Sequence, residues 1–140
     1  MMITTQEPPP DARVLSESDA LDLAARIVGS AIREQLWALF LGEDDRPARL
    51  AIPIEGLPDR PTDDLVERTA ATVGEVLRML GGGSVILVRE RPGPPGVGTL
   101  DAEWAGSLRV ACASAGVSIR GLLLSHDAGV RTLPELRAAT

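Results

Sequence analysis

The sequence predicts an α/β fold, a mixed β-sheet sandwiched by helices in the order αββαβαββ. Three observations lead there. The continuous apolar runs Leu36–Leu41 and Val85–Val88 read as buried strands. Apolar residues recur at helical spacing from Leu65 to Leu80 and from Trp104 to Ala115. Glycine and proline clusters punctuate the chain between these segments.

Taken in order, Ser16 or Ser18 can cap a first helix, with Glu17 and Asp19 supplying acid at its start. Leu21, Ala24, Ala25, Val28, Ala31 and Ile32 fall on one helical face and are expected to lie on a core. The strand Leu36–Leu41 follows, then a turn through Gly42-Glu43-Asp44-Asp45-Arg46-Pro47. Arg49–Ile54 alternates, with Leu50, Ile52 and Ile54 on one face, and Pro53 argues for an edge position.

Thr62 caps the second helix, whose buried stripe is Leu65, Val66, Thr69, Val73, Val76, Leu77 and Leu80. Gly81-Gly82-Gly83 stops it. Strand Val85–Val88 belongs at the sheet centre, between the strands containing Trp37 and Leu123. A Gly/Pro loop leads to Thr99, which opens the third helix. Its inner face is Trp104, Leu108, Ala111, Cys112 and Ala115, and Gly116 stands just past its end. Strands Ile119–Leu124 and Val130–Leu133, joined through His126-Asp127-Ala128-Gly129, complete the pattern.

A chain of 140 residues can form one domain with a sizeable core, expected over 14–134 between a Pro-rich, disordered leader 1–13 and a tail 135–140. Hydrophobic residues make up 44% and charged residues 24%, as in soluble globular proteins. The net charge is −6 and every basic residue is an arginine, with no basic run, so nucleic acid is not an expected partner. Neither a secretory leader nor an apolar run of membrane-spanning length is visible, and the single Cys112 fits a reducing, cytoplasmic setting.

The segment Ser84–Ala102 carries a recognisable outline: an apolar strand, Arg89-Glu90-Arg91-Pro92, six further residues, Thr99, two residues, and Ala102. It resembles the RadC-like branch of the JAB/JAMM (MPN) metalloprotease superfamily, whose zinc motif is H-x-H-P-x(6)-S-x-x-D in the same strand–loop–helix setting. The resemblance runs from about Val14 to Leu133 and implies the cytidine-deaminase-like JAB fold. Counted on that motif, Arg89 and Arg91 stand at the two histidines, Thr99 at the serine and Ala102 at the aspartate. The superfamily's general-base glutamate falls on Gln35. Gly121-Leu122 stand where the family usually has an acidic-His pair.

A guanidinium has no free lone pair, an alanine has no donor, and an amide cannot take a proton from water. The resemblance therefore implies a vestigial site of Gln35, Arg89, Arg91, Thr99 and Ala102, without catalytic residues, metal or cofactor. Glu34 and Asp101 lie one residue from the expected base and third ligand. On a strand, a shift of one residue turns the side chain to the opposite face. Asp101 also reads simply as an acid complementing a helix dipole.

Other residues have plainer readings. His126 reads as an ordinary turn residue, Cys112 as a structural thiol, Trp37 and Trp104 as core anchors, and Glu43-Asp44-Asp45 as a solvated turn. Gly93–Gly98 lacks the lysine of a phosphate loop. Three functions stay open: a non-catalytic domain binding a protein or peptide, or supporting a complex; a binder of small anions through Arg89 and Arg91; and a divergent metal-dependent hydrolase. The arginine pair could equally bond nearby carboxylates and loop carbonyls. Weak homodimerisation through a sheet edge or an exposed helix is a further expectation.

Overall fold

In a computed structural model of the chain, residues 13–134 are described, and the expected leader and tail fall largely outside them. Among the described residues the order is α1 (Glu17–Ile27), β1 (Gln35–Leu41), β2 (Pro47–Ile54), α2 (Asp63–Met79), β3 (Ser84–Glu90), α3 (Thr99–Ser114), β4 (Ile119–His126) and β5 (Gly129–Thr132). The five strands form one mixed sheet, β2-β1-β3-β4-β5. All neighbours are antiparallel except β3 and β4, which run parallel through the α3 crossover. β3 is therefore central, between the strands of Trp37 and Leu123, as expected.

Side-chain alternation divides the core between two faces. Leu36, Ala38, Phe40, Val85, Leu87, Leu122 and Leu124 pack against Val66, Val73 and Leu77 of α2 and Trp104, Leu108 and Cys112 of α3. Trp37, Leu39, Leu41, Ile86, Val88 and Leu123 pack against Ala20, Leu23 and Ala24 of α1. Strands β1 and β3 are buried along their whole length because helices cover both sides.

The helix ends follow their capping chemistry. Ser16 accepts from the Asp19 amide and Thr62 from the Leu65 amide, each at an N-cap. α1 is shorter than its apolar pattern suggests. It ends at Ile27, so Ala20 and Leu23 join Ala24 inside while Ala25 faces out and Ile32 is 78% exposed. Leu80 and Ala115, also expected inside, are exposed, because each is the C-cap beyond its helix.

Gly83 has φ +120, and a Cβ there would stand 2.0 Å from the Leu41 carbonyl oxygen, so only glycine fits between α2 and β3. At the open edge, β2 carries Pro53 opposite Trp37 and Arg49 with φ 58. A proline without an N–H and a residue in left-handed geometry both make this edge a poor template for strand addition.

Candidate functional site

The parallel strands β3 and β4 end side by side, and the loop after β3 runs directly into α3. In sheets with parallel strands, the crevice at the strands' carboxyl ends is the usual place for a site. Here it holds Arg89, Arg91, Asp101 and His126.

Asp101 lies at the centre and is 2% exposed. Its Oδ1 accepts from Arg89 Nε at 2.9 Å and from Arg91 Nε at 3.1 Å. Its Oδ2 accepts from Arg91 Nη2 at 2.8 Å and from the Gly98 amide at 2.8 Å. The last of these bonds caps α3, since a carboxylate in the first helical turn reaches back to the N-cap amide. Burial by itself would raise this carboxyl, but bonds from Arg91, the Gly98 amide and Arg89 outweigh it and bring it down to about 2.

The two arginines are used differently. Arg91 also donates from Nη1 to the Pro94 carbonyl at 2.7 Å and from Nη2 to the Gly96 carbonyl at 2.9 Å, so it organises the Gly/Pro loop from within. Arg131 reaches the Pro95 carbonyl, and Gly93 exchanges bonds with Asp127 through its amide and its carbonyl. The loop is thereby fastened to the β4–β5 turn. Arg89 bonds Asp101 through Nε, and its guanidinium carbon lies 5.8 Å from the ring centre of Trp104, within cation–π range. Among the described residues, Nη1 and Nη2 of Arg89 have no further hydrogen bond.

His126 is the last residue of β4 and 6% exposed, not an ordinary turn residue. Its Nδ1 accepts from the Ala128 amide at 3.1 Å, which leaves the proton on Nε2. Burial first, then the charges of Arg91 and Arg131, hold it below its ordinary value against the opposing pull of Asp127.

The residues counted on the zinc motif are only partly brought together. Arg89 and Arg91 converge, as alternate positions at a strand end can. Asp101, rather than Ala102, meets them; Ala102 is half-buried one position further along the helix, and Thr99 is exposed. Gln35 is paired with Glu90 in the sheet, and its side chain turns to the α1 side, where Nε2 donates to Glu90 Oε1 at 2.7 Å. Glu34, its exposed neighbour, and Gln35 both line a crevice with Arg89 and Trp104.

Glu90 was not singled out by sequence reasoning, although a charge closing an apolar run was the available signal. It is 3% exposed. Oε2 accepts from the amides of Ile32 (2.7 Å) and Arg33 (3.2 Å), and Oε1 from Gln35 Nε2 and Trp37 Nε1 (2.8 Å). Burial opposes its ionisation, but these four neutral donors hold the carboxyl below its ordinary range.

No known family model matches this chain, and no curated protein sequence matches it.

The donors at the strand ends do not suit a divalent cation. Guanidinium groups offer no lone pair, and both Asp101 oxygens are already committed to internal donors. Among the described residues no three His, Cys, Asp or Glu side chains gather in a metal-holding group. Cys112 is buried, and burial pushes its thiol up to about 11, far from a nucleophile's range. Among the described residues no helix is long and apolar enough to cross a membrane.

Proposed function

We propose that this chain is a non-catalytic domain of the RadC-like JAB/JAMM type, in which an internal ion cluster stands where the superfamily holds zinc, and that it binds a protein or peptide or supports a complex. The observation that carries this reading is Asp101, fully hydrogen-bonded by Arg89, Arg91 and Gly98. Two cations around one saturated carboxylate repel a divalent metal and leave no lone pair within the cluster free to activate water. The cluster joins β3 to α3 by charge-assisted bonds, a structural service that a metal could otherwise provide.

The order of elements and the Arg-x-Arg-Pro strand end support the family part of this reading. A hydrolase with displaced ligands is disfavoured by the same geometry, because the carboxylate nearest to the arginines is the one they neutralise.

Metal analysis and a peptidase assay on the purified full chain test the proposal. No stoichiometric zinc and no zinc-dependent hydrolysis are expected. Tight zinc binding, or peptidase activity that a chelator abolishes, would overturn it.

A further inference from the structure

The ion cluster is not electrically balanced. Arg89 and Arg91 bring two positive charges against the single carboxylate of Asp101. Arg91 is fully engaged with Asp101 and the carbonyls of Pro94 and Gly96. The surplus charge therefore resides on Arg89, whose side chain is only 10% exposed. Its guanidinium carbon lies over the Trp104 ring, and both residues line a crevice with Glu34, Gln35, Leu36, Leu57 and Pro58.

We infer that this crevice is a carboxylate-binding site, with the Nη1/Nη2 edge of Arg89 as the fork and Trp104 as its backing. The inference rests on reading the site as a non-catalytic binding site. The Nη edge of Arg89 has no acceptor among the described residues and stays within reach of water, so a carboxylate could take the place of that water. Planar carboxylate oxygens match such a fork bidentately. One surplus positive charge, apolar walls and Glu34 nearby favour a monoanion over a phosphate dianion.

The crevice has a volume of about 10 Å3, room for roughly one water, so a ligand must displace Leu57-Pro58. That stretch is held by Leu57 packing on the α2/α3 core and by a part-buried bond from Trp104 Nε1 to the Asp59 carbonyl at 2.9 Å. It is flanked by the exposed ion pairs Arg33–Glu55 and Arg60–Glu103, which yield easily.

The chain contains two tryptophans, and they sit on opposite faces of the sheet, which supplies a probe and its internal control. In 15N-labelled full-length protein, titration with acetate and with a triglycine free acid should shift the Trp104 indole N–H saturably. The Trp37 indole, bonded to Glu90 on the α1 side, should stay still. Triglycine amide and inorganic phosphate should have little effect. Response to both carboxylates identifies a chain terminus as an acceptable source; response to acetate alone identifies a small free acid, and either supports the inference. Arg89→Lys keeps the charge but loses the fork, and should weaken binding about tenfold.

No saturable shift with either carboxylate, an equal response to phosphate or to the amide, or undiminished binding in Arg89→Lys would overturn the inference. The acid-against-amide comparison stands on the unmodified protein if the variant fails to fold. Zinc binding would instead remove the underlying reading. A peptide that shifts surfaces away from Trp104 would leave that reading and remove only the carboxylate site.

Discussion

Arg89 Nε stands 2.9 Å from Asp101 Oδ1, joining the end of the central strand to the first turn of α3 across a separation of 12 residues. Arg91 grips the same carboxylate and the intervening loop, so one acidic side chain sets the geometry of the whole strand–loop–helix corner.

Removing that carboxylate leaves two buried cations with no counter-charge. Asp101→Ala is expected to cost about 3–5 kcal/mol, the range for breaking one side of a buried ion pair. Urea unfolding measures it, and a loss under about 1 kcal/mol would mean that water already neutralises the arginines.

The same group sets an acid limit. Asp101 moves from an ordinary 3.8 to about 2 on folding, so the unfolded chain takes up the proton first as pH falls. Its contribution, about 2 kcal/mol, is complete above pH 4–5 and is lost as pH drops through about 2. Glu90, also held below its ordinary value, acts in the same direction. In Asp101→Asn the Asp101 share of this acid sensitivity should vanish from the stability–pH curve.

Glu90→Gln presents an NH2 donor to a nest of donors. About 1–3 kcal/mol of stability should be lost, with a change in the Trp37 indole N–H environment, since Trp37 is one of the four donors. An unchanged Trp37 signal would show that the amide finds an arrangement that satisfies all four.

Added zinc should leave the thermal midpoint of the natural chain nearly unchanged, because only a ligand that favours the folded state raises it. The geometry indicates where a metal site could be built. Asp101 already meets both arginine positions, and Glu34 already lines the Arg89 crevice. Arg89→His with Arg91→His should therefore give a zinc-dependent rise in midpoint without changes at Gln35 or Ala102. No response in a folded double variant would show that the loop does not hold ligand geometry.

Much of the fold was legible because burial imprints itself on sequence. The seven-residue strands β1 and β3 are covered on both faces and read as apolar runs, and Thr62 and the three glycines bracket α2 unmistakably. The α1 face was misread because the apolar pattern continues through Val28, Ala31 and Ile32 after the helix has ended at Ile27. In the candidate site, the convergence of Arg89 and Arg91 follows from period-two alternation. Asp101 was visible as a helix-start acid, but that it would meet both arginines depends on the rotation of α3 against β3. Glu90 went unnoticed because three of its four donors lie in the Ile32–Gln35 stretch, 55 to 58 residues away.

That long-range nest also guards strand alignment. Glu90 can be buried as an anion only when Gln35 stands directly opposite it and the Ile32 and Arg33 amides close over it. Sliding β3 by one residue against β1 would turn the carboxylate toward the α2/α3 core, and sliding it by two would carry it past its donors. Either error parts the charge from its donors, whereas the apolar residues of these strands would tolerate many offsets. A single acidic residue thus works as a proofreading mark on a sheet whose greasy strands could otherwise anneal in several registers.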